Sequence, residues 1–137
     1  MRTFPSAIGI AVAALTSGCI IVADEGPNPS APVITYAYAG CYADDYYRDF
    51  VWEFEADVSD DAGGSTIAEV FADVYDDRTG EWVDGFELYP DGGITWYSAW
   101  VGGSTWLDCQ YPYYVVDITA VAFDQRQDTV SVYPDTW

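Results

Sequence analysis

Apolar and polar residues alternate along most of the chain after residue 32, and turn residues interrupt the alternation roughly every ten positions. An alternation of period two is typical of a β-strand that buries one face and exposes the other. No segment after residue 32 shows a convincing helical pattern. The pattern predicts seven strands, at Val33–Ala39, Asp49–Val58, Ile67–Tyr75, Glu81–Tyr89, Ile94–Val101, Tyr113–Phe123 and Thr129–Tyr133.

The alternation is clearest in the second, third and sixth predicted strands, and it assigns an inward face to each of them. The inward residues are Phe50, Trp52, Phe54, Ala56 and Val58, then Ala68, Val70, Ala72 and Val74, then Tyr114, Val116, Ile118, Ala120 and Ala122. The outward face of the third strand alternates acids with apolar and aromatic residues: Ile67, Glu69, Phe71, Asp73 and Tyr75. Such a face is either a surface for a partner or the acid-protected face of an edge strand.

Seven short strands in about 100 residues predict an all-β domain, a single antiparallel seven-stranded β-sandwich of the immunoglobulin-like type. The sixth strand carries a resemblance as well. Its pattern Tyr114-x-Val116-x-Ile118-x-Ala120 resembles strand F of fibronectin-III and related bacterial immunoglobulin-like domains. A small β-barrel is the alternative fold.

The charge balance excludes several classes of function. The chain has 23 acidic residues, four Arg, no Lys and no His, for a formal net charge of −19. A surface this acidic repels phosphate backbones, so we expect no nucleic-acid partner. Without His, neither a Ser-His-Asp triad nor an imidazole metal site is available. The apolar content of 50% is nevertheless ample for a folded core.

The N-terminal residues have the features of an export signal. Arg2 gives a short positive region, and the apolar stretch from Phe4 to Leu15 is too short to span a bilayer. The segment ends in Gly18-Cys19, and in this it resembles the signal peptide of a bacterial lipoprotein precursor. The resemblance implies cleavage before Cys19, a lipidated Cys19 and attachment to a membrane. The alternatives are ordinary cleavage that leaves a free Cys19, or an uncleaved anchor.

These features divide the chain into three parts. Residues 1–18 are the predicted signal peptide, residues 19–32 the lipidated N-terminus with a Pro-rich tether, and residues 33–137 the β-sandwich domain. We therefore expect a protein of the cell envelope. Lipoproteins retained at the inner membrane commonly carry Asp after the lipidated Cys. Here Ile20 follows, so the resemblance favours the outer membrane.

The three cysteines fit this location. If Cys19 carries lipid, Cys41 and Cys109 remain as a pair, and export places them where a disulfide forms and persists. Two free thiols are the alternative. Seven up-and-down strands place alternate loops at opposite ends, and by this parity Cys41 and Cys109 fall at the same end.

The opposite end of the predicted domain is rich in carboxylates from three loops: Asp60, Asp61, Asp91, Asp124 and Asp128. Carboxylates from several loops are able to bind Ca²⁺, which takes six to eight oxygen ligands. Cadherin-like modules bind Ca²⁺ with inter-strand loops. These residues are thus candidate calcium ligands, although Asp is also a common turn residue and no Asp-x-Asp-x-Asp-Gly loop is present.

A carbohydrate ligand is a further alternative, because tryptophans near acids are typical of sugar sites. The candidates for stacking are Trp82, Trp96, Trp100 and Trp106, and Trp106 is expected to be the most exposed. No carboxylate pair stands out for glycoside hydrolysis, so we predict no enzyme. The predicted function is a lipid-anchored cell-envelope binding or structural module with a protein or glycan partner. A calcium-dependent adhesion module and a small carbohydrate-binding domain are the alternatives.

Overall fold

The computed structural model describes residues 32–60 and 66–135. The predicted signal peptide, Cys19 and the predicted tether up to residue 31 lie outside the described residues, as does Asp61. The strands are β1 (Val33–Asp44), β2 (Asp49–Ser59), β3 (Ile67–Asp76), β4 (Trp82–Pro90), β5 (Thr95–Val101), β6 (Tyr114–Ala122) and β7 (Gln127–Val132). A single 3₁₀ turn, Gly102–Ser104, follows β5. The prediction of an all-β domain with seven strands is confirmed.

The seven strands form one antiparallel sheet in the order β1-β2-β5-β4-β3-β6-β7. The sheet is nearly closed and barrel-like. Its outer strands meet at one parallel bridge, where the N–H of Cys41 donates to the carbonyl of Asp135 (2.8 Å) and the N–H of Asp135 donates to that of Ala39 (3.0 Å). The weakest seam joins β4 to β5 through two residue pairs, Tyr89 with Tyr97 and Pro90 with Trp96.

The core follows the predicted alternation. Trp52, Phe54, Ala56 and Val58 of β2 are buried, and they face the buried residues of β3 and β6 across the interior. The Phe54 and Phe86 rings stack with centroids 4.8 Å apart, and Tyr114 meets the edge of Trp52 at 5.9 Å. Burial of these side chains is the main force that holds the sheet closed.

One part of the predicted pattern is wrong, at the start of β3. Ala68 was expected inward but is exposed, while Ile67 was expected outward and is buried. The pairing register with β6 shifts between Ile67 and Glu69, as in a β-bulge. The extra residue turns Ala68 outward and restores the predicted phase from Val70 onward.

All neighbouring strands are antiparallel, so alternate loops lie at opposite ends, as predicted. The disulfide end comprises the loops 45–48, 77–81 and 102–113. The entry end, where β1 begins, comprises Asp60 after β2, Thr66 before β3 and the loops 91–94 and 123–126. The tight turn at the disulfide end needs Gly80, because its φ of 78° lies in the left-handed region while its N–H donates to the carbonyl of Asp76.

Candidate functional site

A disulfide joins Cys41 of β1 to Cys109 of the long β5–β6 loop, as the sequence predicts. Both residues are buried, their Cα atoms are 5.9 Å apart, and they are separated by 68 positions in the chain. The bridge fixes the middle of a loop that otherwise has little regular structure. A disulfide is also consistent with a protein that folds outside the cytoplasm.

Side-chain hydrogen bonds hold the rest of this loop. The carboxylate of Asp49 accepts hydrogen bonds from the N–H of Phe50 (2.7 Å) and of Gly103 (2.9 Å). The carboxylate of Asp84 accepts from the N–H of Trp106 at 3.0 Å. Carboxylates of two strands thus bind backbone donors of the loop, so the loop is fixed at several points.

Two tyrosines also hold the long β5–β6 loop in place. The hydroxyl of Tyr114, at the start of β6, accepts a hydrogen bond from the N–H of Asp108 at 3.0 Å. The hydroxyl of Tyr111 donates to Asp76 at 2.5 Å, and this hydrogen bond lowers the pKa of the Asp76 carboxyl. The ring of Tyr111 lies 4.9 Å from that of Tyr114. The long loop is therefore held at both its start and its end.

Exposed aromatic residues collect at the disulfide end. Two tyrosines lie in the β1–β2 turn, where Tyr46 is 86% exposed and packs edge-on against Tyr47, and Trp106 in the long loop is 83% exposed. The complete set among the described residues is Tyr42, Tyr46, Tyr47, Trp82, Trp106, Tyr113 and Tyr133. The guanidinium of Arg78 lies 4.7 Å from the centre of the Tyr113 ring. By contrast, the other exposed aromatic residues among those described are Tyr36, Tyr89 and Phe123, and Tyr89 and Phe123 lie at the entry end.

A cleft of about 280 Å³ opens between the start of β2 and the long loop. Its apolar lining comes from Phe50, Trp52, Leu107 and Cys109, and its charged lining from Asp49 and Asp108. A second cleft, of about 220 Å³, lies on the other side of Asp49 and Phe50, in the β1–β2 turn. The second cleft is lined by Asp44, Asp45 and Arg48 as well.

Two of the predicted calcium ligands at the entry end, Asp60 and Asp124, contact an arginine. The buried Asp60 carboxylate accepts a hydrogen bond from the Thr66 hydroxyl (2.7 Å) and lies 3.7 Å from the guanidinium of Arg126. The same guanidinium donates to Asp124 at 2.6 Å, and this contact lowers the pKa of the Asp124 carboxyl. Arg126 thus occupies the space between two of the candidate ligands.

The other candidate calcium ligands make contacts that do not involve Arg126. The carboxylate of Asp128 accepts the N–H of Ile34 at 2.9 Å, while Asp91 lies in the exposed β4–β5 turn. No group of three or more His, Cys, Asp or Glu side chains is placed to hold a metal ion in the described part of the chain. Because Asp61 lies outside that part, calcium binding stays a prediction.

Three acidic residues form a row on the outward face of β2, and tyrosines flank them. Glu53 accepts a hydrogen bond from the Tyr97 hydroxyl at 2.8 Å, and Asp57 accepts one from the Thr95 hydroxyl at 2.7 Å. Burial of the carboxyl raises the pKa of Glu55, and the neighbouring charges of Asp57 and Glu53 raise it further. This face is therefore a row of like charges whose partners are neutral hydroxyls.

The outward face of β3 also carries carboxylates whose hydrogen-bond donors are neutral. Asp73 pairs directly with Asp117 of β6. Asp73 accepts a hydrogen bond from the indole N–H of Trp82 at 3.0 Å, and Asp117 accepts one from the hydroxyl of Ser131 at 2.6 Å. β3 pairs with β4 on one side and β6 on the other. The interpretation of this face as an edge strand protected by acids is therefore wrong, because β3 is central in the sheet.

The four tryptophans proposed for sugar stacking divide into two groups. Trp96 and Trp100 of β5 pack against the core, and Trp100 lies 5.5 Å from Phe86. Trp82 and Trp106 are exposed, and Trp106 is the more exposed of the two, as predicted. Only Trp82 and Trp106 are available for contact with a ligand.

Sequence reasoning identified only part of the aromatic surface at the disulfide end. It named Trp82 and Trp106 as candidates for stacking, but it assigned the candidate calcium ligands to the opposite end. A signal was present: Tyr46-Tyr47 lies in a predicted turn, and Trp106 and Tyr111 lie in the longest predicted loop. Aromatic residues in neighbouring loops place apolar surface at one end of the domain.

Comparison of the chain with protein-family models, with curated protein sequences and with solved structures gives no match. A helix long and apolar enough to cross a membrane is not found among residues 32–60 and 66–135.

Proposed function

We propose that this protein is a lipid-anchored module of the cell envelope that binds a partner through its disulfide end. The observation that carries the proposal is the collection of seven exposed Tyr and Trp side chains at this end. Aromatic side chains supply large contact areas at a small cost in conformational entropy, and they dominate the energetics of interfaces.

The composition of the loops supports a binding role. Besides Tyr and Trp, the three loops are rich in Gly, Ser, Thr, Asp and Arg, as in the segment Gly102-Gly103-Ser104-Thr105-Trp106. Antibody loops use a similar mixture of rigid aromatic anchors and small polar residues. The disulfide and the hydrogen bonds of Asp49, Asp84 and Tyr114 hold the loops in place before a partner arrives, which reduces the entropic cost of binding.

The attachment point of the proposed anchor is compatible with binding at the disulfide end. The chain enters β1 at Val33 at the entry end, so the tether from a lipidated Cys19 joins the domain there. The segment between Cys19 and Val33 reaches at most about 50 Å when fully extended. Attachment at the entry end leaves the disulfide end, with its aromatic side chains, accessible to a partner. Retention at the outer membrane, which Ile20 favours by resemblance, is part of this proposal.

Two features support the finer assignment of an immunoglobulin-like sandwich. The sheet has its weakest seam between β4 and β5, which separates β1-β2-β5 from β4-β3-β6-β7. The hydroxyl of Tyr114 accepts a hydrogen bond from a backbone N–H six residues upstream, as in the tyrosine corner of such domains. Immunoglobulin-like domains commonly bind partners through loops at one end of the sandwich.

We propose binding rather than catalysis for this end of the molecule. The carboxylates Asp49 and Asp84 accept hydrogen bonds from backbone donors and so support the loops. The exposed aromatic side chains around them supply contact area for a partner.

The proposed binding surface is tested by photo-crosslinking in the organism that makes the protein. A benzophenone amino acid is placed at Tyr46 or Trp106, with Tyr36 and Phe123 as exposed control positions away from this end. We expect the first two positions to give a discrete adduct and the controls to give none. Equal yields at all four positions would contradict the proposal. A glycan array with Trp106→Ala as control tests the carbohydrate alternative.

The anchor has its own test. Wild-type protein should partition into the detergent phase after cell lysis, and Cys19→Ser should move it to the aqueous phase. An aqueous wild-type protein would show that Cys19 carries no lipid. The binding surface would remain a separate question, because the photo-crosslinking experiment does not depend on the anchor.

A further inference from the structure

We infer that the cleft beside the disulfide receives an arginine or lysine side chain of a polypeptide partner. The inference rests on the proposed function, since the cleft lies among the aromatic residues of the disulfide end. It adds the chemistry of the partner: a cationic residue on a flexible, apolar stem.

The size of the cleft suits one long side chain. Its volume of about 280 Å³ is near the lower end of the range of about 300–1,000 Å³ that is typical of ligand pockets. Interfaces often concentrate their binding energy in one large side chain that fills a pocket of this kind. The surrounding residues then exclude water from the contact.

The lining suits a side chain that is apolar along its length. Phe50, Leu107 and Cys109 supply the apolar part of the lining, and the buried Trp52 contributes to it as well. Arginine and lysine place their methylene stems against apolar surface while the charged group reaches a polar rim. A short acidic side chain would leave this wall uncovered.

The charged lining suits a cation. Asp49 and Asp108 are the ionisable groups that line the cleft. Asp49 accepts one backbone hydrogen bond on each carboxylate oxygen, and Asp108 accepts one from the N–H of Gln110 at 2.9 Å. An ionised carboxylate has about four acceptor positions, so both side chains retain capacity for a guanidinium or ammonium group.

The charge of the whole molecule favours the same partner. With a formal net charge of −19 and no Lys, the protein attracts cations from every side and repels acidic partners. Long-range attraction alone would not choose one location. The cleft adds selectivity, because it joins an apolar wall to two carboxylates at a position that the disulfide fixes.

The test is an NMR titration of the ¹⁵N-labelled full chain, solubilised in detergent, at low salt. The probe is the blocked tripeptide acetyl-Gly-Arg-Gly-amide, and the control is the same peptide with citrulline, which has nearly the same shape and no charge. We expect saturable shifts of the amide signals of Gly102, Gly103 and Asp108 with the arginine peptide. The citrulline peptide should give less than about a third of these shifts.

Two variants locate the interaction. Asp49→Asn and Asp108→Asn remove charge, and each should weaken binding several-fold. Asn at position 108 keeps an oxygen for the N–H of Gln110, whereas Asn at position 49 keeps an oxygen for only one of its two backbone donors. Asp91→Asn, in the entry-end turn, removes the same charge and should have no effect. Asp108 is exposed, so its variant keeps the test valid if Asp49→Asn unfolds the protein.

Three results would overturn the inference: equal shifts with the citrulline peptide, unsaturable shifts at both ends of the molecule, or unchanged binding in both cleft variants. These failures are distinguishable from a failure of the proposed function. If Tyr46 and Trp106 still give a discrete cross-link, the disulfide end binds a partner, and only the cationic anchor in the cleft is wrong.

Discussion

At the scale of single residues, neutral donors replace cations as the partners of carboxylates. Tyr97 donates to Glu53, Thr95 to Asp57 and Trp82 to Asp73, whereas the ion pairs seen within the described residues involve Arg126. Such hydrogen bonds satisfy the oxygen atoms but do not neutralise the charge. Burial and the hydrogen bond to Glu53 therefore raise the pKa of the Tyr97 hydroxyl. The row on β2 remains self-repulsive.

Replacing Glu55 by Gln should stabilise the protein. The pKa of Glu55 is raised above its ordinary value of 4.5, so its negative charge disfavours the folded state at neutral pH. We expect Glu55→Gln to raise the free energy of unfolding at pH 7 by about 0.5 kcal/mol, from the repulsion of charges about 7 Å apart in a high dielectric. Thermal or urea unfolding of the full chain measures the difference.

The sign of the pH dependence follows from the raised pKa. As the pH falls toward 4.5, Glu55 becomes protonated in the folded protein, so the advantage of the variant should shrink and then vanish. Glu87→Gln, on the outward face of β4 opposite Phe71, is the matched control and should change stability less. A Glu55→Gln protein that is less stable than wild type at pH 7 would contradict the repulsion.

At the scale of elements, the long loop between β5 and β6 depends on contacts with distant strands. It has one short 3₁₀ turn, and its position is set by the disulfide to β1, by Asp49 of β2 and by Asp84 of β4. Each contact joins residues far apart in the chain. The loop is therefore expected to keep its shape only while the surrounding sheet is closed.

Removing the disulfide should cost the protein about 4 kcal/mol of stability, because the bridge closes a chain segment of 68 positions and restricts the unfolded state. The double variant Cys41→Ala/Cys109→Ala should show this loss in urea unfolding. Reduction of the wild-type protein is the matched control and should give a similar value. A loss below about 1 kcal/mol would mean that the bridge contributes little to holding β1 and the loop together.

At the scale of the whole molecule, the sheet folds despite the repulsion among its carboxylates. The chain has 23 carboxylates and four Arg, one of which, Arg2, lies in the predicted signal peptide. Repulsion among so many like charges opposes a compact state. The buried aromatic core and the closure of β1 onto the segment after β7 act against this repulsion. Stability should therefore depend strongly on ionic strength.

Salt should raise the melting temperature, because screening shortens the range of the repulsion from about 10 Å at 0.1 M to about 3 Å at 1 M. We expect a higher melting temperature in 1 M NaCl than in dilute buffer. We also expect millimolar Ca²⁺ and Mg²⁺ to act equally, because Arg126 lies between Asp60 and Asp124 at the predicted calcium site. Differential scanning calorimetry measures both effects.

A specific calcium site would give a different result. Ca²⁺ accepts irregular oxygen ligands more readily than Mg²⁺, so specific binding would make the shift with Ca²⁺ clearly larger. That excess should disappear in Asp60→Asn/Asp124→Asn while the effect of NaCl remains. Such an outcome would contradict our expectation of equal shifts and establish the calcium-dependent alternative.

The sequence by itself determined the features that depend on neighbouring residues. The alternation in β2 and β6 identified their buried faces, and the count of strands placed Cys41 and Cys109 at one end. The pleat of a strand turns successive side chains to opposite faces wherever the strand lies. These predictions therefore needed no knowledge of which strands pair.

Only the tertiary structure decided the strand order, the bulge at Ala68 and the cleft beside the disulfide. β5 pairs along its length with β2 and only weakly with β4, and no local pattern distinguishes these partners. The cleft needs Phe50 of β2 and Leu107 of the long loop at the same place. The alternation of apolar and polar residues in a strand is equally compatible with any antiparallel neighbour. The choice among neighbours depends on core packing and backbone hydrogen bonds between residues far apart in the chain.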